Sequence, residues 1–210
     1  MEQLSNEWFE ARKGRFTASQ IHKLMTDSRA KDEVLSDGAK SYVYEKVAER
    51  LGGYKTFFEN AATLWGNEHE AEARNMFEFE SGLKVDLCGF FATKNNAGGS
   101  PDGLIGDSAI IEIKCPFESH THIKYTDFNN VDDFKKHCKD YYWQVQMNML
   151  VTDRKQCFFI SYDKRIQSNL QVWWIIIPRN EADIDKLKMK IKNANELFNN
   201  LINKHNGKQD

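Results

Sequence analysis

The run SPDGLIGDSAIIEIKCP occupies residues 100–116, and it reads as two short strands folded back on one another. Residues 101–105 and 109–115 are the strands, and Gly106-Asp107-Ser108 is the turn signal between them. Side chains alternate along a strand, so Glu112 and Lys114, two residues apart, point to the same face. Asp102 opens the preceding strand, and the turn brings it back beside Glu112. Two acids and a lysine then share one small volume among Ile110, Ile111 and Ile113. An isolated E-x-K is often only the wet side of a surface hairpin. Here Ile-Ile-Glu-Ile-Lys is too apolar for an exposed edge strand, and Pro101-Asp102-Gly103 is a turn entry. A strand apolar on one face and charged on the other, at the mouth of a sheet, suits a metal site.

Magnesium prefers hard oxygen donors and keeps several waters, so one or two carboxylates plus a substrate phosphate suffice. Asp102 and Glu112 would supply them, with the Ile113 carbonyl as a further candidate. The ion would lower the pKa of water and offset charge on a phosphorane-like transition state. Lys114, kept cationic by its acidic neighbours, could orient the attacking water. A third acid lies upstream in WGNEHEAEARNMF, where Glu70, Ala73 and Phe77 fall on one helical face. A carboxylate on an apolar stripe needs a partner. Either a metal or a basic residue such as Arg74 at the rim would satisfy it.

Working outward, residues 5–13 read as a short helix. Thr17-Ala-Ser-Gln20 fits a capping box with Thr17 as N-cap, starting a helix that runs to about Met25. Residues 28–38 are polar and loop-like; a helix follows from about Gly38 to Leu51, stopped by Gly52-Gly53. The WGNEHEAEAR helix ends at Gly82, and residues 84–92 read as a strand. Loop and helix mix over 117–138, and 140–152 is helical. QCFFISY (156–162) and LQVWWIII (170–177) are β-prone neighbours. From Glu181 a long amphipathic helix carries Ile184, Leu187, Ile191, Ala194, Phe198 and Leu201. The order predicts an α/β (α+β) fold with a central mixed sheet flanked by helices. A single domain over 1–210 is expected, with an N-terminal helical elaboration and the amphipathic C-terminal helix. No phosphate-cradling G-x-x-x-x-G-K-[ST] is present.

Hydrophobic residues make up 40% and charged residues 29% of the 210, which fits a soluble globular protein. No apolar run reaches membrane length, and MEQLSNEWFEARKGR has no apolar signal core, so a cytoplasmic location is expected. The four cysteines, Cys88, Cys115, Cys138 and Cys157, form no C-x-x-C pair and read as reduced thiols. His120 and His122 near Cys115 are too few for a metal site of their own. The net charge of −2 is low for a phosphate-binding protein. Two divalent ions on the acidic cluster would bring it to about +2.

Linked in order, WFEARKGRFTAS, WGNEHEAEAR, SPDG, IEIKCPF and YYWQVQMNMLVT resemble the motifs of the lambda exonuclease and YqaJ-type viral recombinase family, from about Glu7 to Arg179. Tyr162-Asp163-x-Arg165 adds to the resemblance. It implies a restriction-endonuclease-like, PD-(D/E)XK core and Mg²⁺ or Mn²⁺ dependence, with two ions per site. The implied activity is 5′→3′ digestion of one strand of duplex DNA, leaving 3′ single-stranded tails for annealing-type recombination. By the family pattern Asp102, Glu112 and Lys114 take the catalytic positions, Glu70 the helical acidic position near the metals, and Gln144 a place in the Q-x-Q motif. Arg12, Ser19 and Ser100 match positions that hold a terminal 5′-phosphate. Ser19 in the first turn of a capped helix, and the fork of Arg12, agree with anion binding; a second local cap and a surface ion pair are their ordinary alternatives. The resemblance also implies DNA ends as substrate, a homotrimeric ring, a single-strand annealing protein as partner, and a phage or prophage product in a bacterial host. A structure- or sequence-specific endonuclease on the same core and a non-catalytic DNA-binding module are the competing functions. The triad alone does not separate exonuclease from endonuclease.

Overall fold

The computed structural model describes residues 2–30, 32–53 and 60–207. Helix α1 (Asn6–Arg12) begins at Ser5, whose hydroxyl accepts from the Trp8 amide. Strand β1 (Phe16–Thr17) leads into a 3₁₀ turn at Ala18–Gln20 and the single helical turn α2 (His22–Met25). Helix α3 (Asp37–Arg50) is capped by Ser36, and α4 (Ala61–Ser81) runs from its Asn60 cap to a left-handed Gly82. Strands β2 (Phe91–Ala92), β3 (Ala97–Gly99), β4 (Gly103–Ile105) and β5 (Ala109–Lys114) follow. Then come α5 (Ser119–Thr126), α6 (Val131–His137), α7 (Lys139–Thr152), β6 (Gln156–Tyr162), β7 (Val172–Pro178) and α8 (Glu181–Asn206).

The main sheet has the order β4-β5-β6-β7. Strands β4 and β5 pair antiparallel with Gly103 opposite Ile111, β5 and β6 run parallel, and β6 and β7 are antiparallel. The sheet is therefore mixed, with α5–α7 forming the crossover between its two parallel strands, as a parallel pair demands. Strand β5 is buried along almost its whole length on both faces. Ile111 and Ile113 pack with Phe158, Ile160, Ala73 and Phe77, so α4 covers one side. Ile110 packs with Phe159, Tyr142, Val145 and Met149, so α7 covers the other. A further core joins Phe16, Ile21 and Leu24 to Tyr42, Val43 and Val47 of α3 and to the apolar stripe of α8. The amphipathic tail thus packs on its own chain. Lys190, buried on α8, donates to the carbonyl of Val34 at 2.7 Å and ties the irregular segment before α3 to that helix.

Two expectations change. The capping box at 17–20 does not form: Thr17 is in β1, its side chain makes no cap bond, and its amide donates to the Tyr42 hydroxyl. Thr17 does stand at the N-cap position with the extended backbone usual there, but its hydroxyl lies 3.5 Å from the Ser19 hydroxyl and caps no amide. The strand expected at 84–92 reduces to the two residues of β2 and an isolated bridge between Asp86 and Leu104. Leu87 in that stretch is exposed, so no two-faced burial sustains a longer ladder. A second, small sheet of order β1-β3-β2 was not foreseen. The loop expected at 28–38 includes residue 31, which lies outside the described residues; the described part is irregular up to Ser36.

Phe77 is fully buried and meets Phe158 and Trp174 edge-on. Phe77→Ala is expected to cost about 3–5 kcal/mol. Urea unfolding monitored by circular dichroism would measure it, with a loss below about 1 kcal/mol contradicting this packing.

Candidate active site

Strand β4 begins at Gly103, which faces Ile111; just before it the Asp102 amide also turns onto the Ile111 carbonyl at 3.1 Å, which sets Asp102 at the end of the strand pair, beside Glu112. The Asp102 carboxylate also accepts from the Ile113 amide at 2.6 Å, which pins it against the catalytic-candidate strand. Glu112 is only 1% exposed, so it lies in the interior and not on a wet strand face. Its Oε1 accepts from Lys114 Nζ at 2.6 Å and from Gln144 Nε2, and its Oε2 accepts from Asn148 Nδ2 at 3.1 Å. An interior carboxylate left unpaired would cost several kcal/mol, and these donors remove that cost.

All of the site residues expected from sequence line one cavity of about 1140 Å³. Asp102, Glu112, Ile113 and Lys114 come from the β4–β5 pair, and Gln144 comes from α7. Glu70 enters from α4, one turn before Ala73 and Phe77 dive into the core. It satisfies both readings considered for it, because it faces the cavity while its Oε1 lies 3.7 Å from Arg74. Arg12, Ser19 and Ser100 line the same space and are linked to one another. Arg12 donates to the Ser19 hydroxyl at 3.3 Å and lies over the Trp8 ring at 3.9 Å, and Trp8 Nε1 donates to the Ser100 hydroxyl at 2.9 Å. Ser19 belongs to the short 3₁₀ turn, so no capped helix presents free amides to an anion there. What this corner presents to the cavity is the Arg12 guanidinium and two hydroxyls.

Three residues escaped the sequence reading. Trp8 joins Arg12 to Ser100 across 92 positions, a contact no local pattern announces. Tyr141 lies beneath Lys114, 4.8 Å from the ammonium to the ring centre. Asn148 is the fully buried donor to Glu112. Tyr141, Gln144 and Asn148 are spaced by three and four, so the α7 stripe facing β5 was present in the sequence, although nothing marked β5 as its partner. Outside the cavity, Arg165 binds the buried Asp163, donates to the carbonyls of Pro116 and Phe117, and covers Trp65 of α4 at 4.3 Å. It fastens the end of β5 to the helix that carries Glu70. Burial alone would raise the Asp163 carboxyl, but the Arg165 bonds outweigh it and bring it down to about 2. His122 is a structural residue, bonded to the Ser161 hydroxyl and the Leu170 carbonyl.

The electrostatics are those of crowded acids. Burial, then the charges of Glu112 and Glu70, hold the Asp102 carboxyl well above the usual carboxylate range. Burial raises Glu70 as well, against the pull of Arg74. Burial would lower the Lys114 ammonium, but the charges of Glu112 and Asp102 reverse this and hold it above the usual lysine value. Burial brings Arg12 down to about 10, which leaves it charged at neutral pH. Hard oxygen donors that repel one another when ionised fit a divalent cation of the magnesium type. Among the described residues no three or more His, Cys, Asp or Glu side chains group tightly enough to hold an ion by themselves. The donor set that fits is thus two carboxylates with a backbone oxygen and solvent.

The model of the YqaJ-like viral recombinase domain matches residues 7–155. The chain belongs to the YqaJ-like viral recombinase family. An alkaline exonuclease from Laribacter hongkongensis, LHK-Exo, is 32% identical over 97% of each chain, with a TM-score of 0.82. The same enzyme in complex with dAMP matches with a TM-score of 0.81. A phage related exonuclease from Haemophilus somnus shares the fold at 24% identity, over 91% of this chain and 96% of that one, with a TM-score of 0.77. No curated protein matches the chain significantly. Family membership accords with the mixed-sheet, helix-flanked architecture read from the order of elements along the chain.

An Asp with a raised folded-state pKa favours folding when protonated and loses that contribution as pH rises through the folded value. In metal-free buffer with chelator, Asp102→Asn is therefore expected to melt at a higher temperature than the parent at pH 8. The gain should shrink toward pH 4, near the unfolded-state carboxyl value. Thermal melts across this range check it; a gain that grows on acidification contradicts it.

Proposed function

We propose that the chain is a metal-dependent deoxyribonuclease, a 5′→3′ exonuclease that degrades one strand of duplex DNA and leaves 3′ single-stranded tails. One observation carries the reading: the acidic cluster with its lysine and the Arg12–Ser19–Ser100 corner open into the same cavity. A hydrolytic centre that shares its chamber with an anion-binding corner suits a strand end, where a terminal phosphate can sit at one place and the scissile bond at another. The alkaline exonuclease at 32% identity over nearly the whole chain supports the same class of activity.

Asp102, Glu112 and the Ile113 carbonyl would hold the cation, with Glu70 beside them. Two Mg²⁺ or Mn²⁺ ions there would supply positive charge against the phosphate and make nearby water more acidic. The chain's own contributions are positional and electrostatic. Lys114, cationic and directed by Glu112, stabilises negative charge on the phosphate being attacked and orients the attacking water. Gln144 and Asn148 fix the Glu112 carboxylate. Arg12 binds a terminal 5′-phosphate through its planar fork, with the Ser19 and Ser100 hydroxyls as further donors and Trp8 holding the guanidinium in place. Binding the end sets the distance to the first phosphodiester, which favours release of mononucleotides.

We place this activity in annealing-type recombination, with a single-strand annealing protein as partner and a homotrimer closing around duplex DNA, in the cytoplasm of a bacterial host. Family membership supports that setting. No helix among the described residues is long and apolar enough to cross a membrane. A single domain over residues 1–210 fits the shared packing of α7, which contributes Met147 to one core and Val145 and Met149 to another.

Digestion of end-labelled linear duplex with and without Mg²⁺ tests the proposal. Mononucleotides should appear from 5′ ends only with metal, and faster from 5′-phosphorylated than from 5′-hydroxyl ends. Cutting of closed circular DNA would instead favour an endonuclease. Asp102→Ala and Lys114→Ala are each expected to abolish cleavage. Arg12→Ala should mainly remove the preference for phosphorylated ends, a loss of about 10-fold or more for a charge-assisted contact.

A further inference from the structure

Asn148 stands at the deepest point of the α7 stripe that faces β5. Its side chain is fully buried, and its Nδ2 donates to Glu112 Oε2 at 3.1 Å. Glu112 Oε1 is held from the other side by Lys114 and Gln144. Lys114 and Gln144 border the open cavity, whereas Asn148 does not line it, so it has no path to substrate. The amide accepts a cost for this position: its Oδ1 is buried without a hydrogen-bond partner. Turning the amide over would set that oxygen against the Glu112 carboxylate, so the donor orientation is the favourable one. A wholly apolar side chain of similar volume would avoid the unpartnered oxygen but would leave Glu112 Oε2 bare in the interior.

The backbone opposite has a matching feature. Gly99, in β3, packs directly on the Asn148 carboxamide, and a Cβ at Gly99 would overlap Oδ1. Gly99 has no positive φ among the backbone angles, so conformational freedom does not explain the glycine. Room for the Asn148 amide does. The small second sheet therefore reaches the site through one close approach: β3 sets Gly99, Gly99 leaves room for Asn148, and Asn148 orients Glu112.

We infer that Asn148 is a positioning residue for the nuclease centre, which fixes the plane of the Glu112 carboxylate and so sets the affinity of the site for its divalent cation, with Gly99 as its obligate partner. This rests on the metal-dependent nuclease reading. Partners that orient a ligand from behind commonly matter by about 10–100-fold in metal affinity or activity.

The full chain, free of DNA, is titrated with Mn²⁺ by calorimetry. Turnover on linear duplex and thermal melts in chelator are measured beside it. Asn148→Ala should weaken Mn²⁺ binding by about 10-fold or more and lower kcat, while KM for duplex ends stays within about twofold. Gly99→Ala should produce the same loss with the asparagine still present. Because both changes act through one hydrogen bond, Gly99→Ala/Asn148→Ala should be no worse than either alone. A folded Asn148→Ala with parental Mn²⁺ affinity and kcat, changed only in its melting temperature, overturns the inference, and so do losses that add in the double variant. If Asn148→Ala shows no cooperative melt, Gly99→Ala decides by itself, and parental Mn²⁺ affinity there overturns the inference. A parent chain that neither binds Mn²⁺ nor cleaves DNA would instead overturn the nuclease reading on which this depends.

Discussion

Glu112 is an acid placed in the middle of a sheet that buries both of its faces, and much of the surrounding structure meets the demands of that one carboxylate. A carboxylate at 1% exposure has lost its water and must find donors in the protein. It finds three: Lys114 from its own strand, and Gln144 and Asn148 from α7. The β4–β5 register is held by packing. Ile111 and Ile113 fill the core under α4, Ile110 fills the core under α7, and a slip by one residue would exchange the two sets. The apolar residues of the strand thus determine where its charged residues point.

The second acid is a source of tension. Asp102 is held close to Glu112 and Glu70, and burial makes its ionised form costly. Such crowding lowers stability in the absence of a counter-ion and creates affinity for one. This is why the arrangement reads as a binding centre and not as a structural network. In a structural network the acids would be matched by bases, as Asp163 is by Arg165 at the neighbouring loop, where the carboxyl falls to about 2. The carboxyls of Asp102 and Asp163 are thus shifted in opposite directions.

What could be read from sequence followed from periodicity. The two-residue spacing of Glu112 and Lys114, the Gly106 turn that returns Asp102, the Glu70-Ala73-Phe77 face and the α8 stripe are all local patterns, and each lies where its pattern put it. What could not be read depends on pairing across long separations. Strands β1 and β3 have two and three residues, and they meet although about 80 residues separate them; strands so short carry no alternation. Thr17 shows the same limit from the other side: it holds the N-cap position its local signal marked, but its hydroxyl lies against the Ser19 hydroxyl and makes no cap bond. Trp8 to Ser100 and Asn148 to Glu112 are tertiary contacts between residues whose own neighbours give no hint of them.

These long-range contacts converge on the cavity, which has a consequence for how the site is assembled. The β4–β5 hairpin brings Asp102 and Glu112 together through residues close in sequence. The Arg12 corner needs α1, the turn at Ser19 and the strand entry at Ser100 to be in place together, and Glu112 needs α7. Acids gathered by local structure are therefore given their orientation by distant elements. A change at Gly99, in contact with Asn148, is then expected to disturb Glu112 without altering any residue that lines the cavity. Precision at this centre is a property of the tertiary structure, while Asp102, Glu112 and Lys114 at its heart come from seventeen consecutive residues.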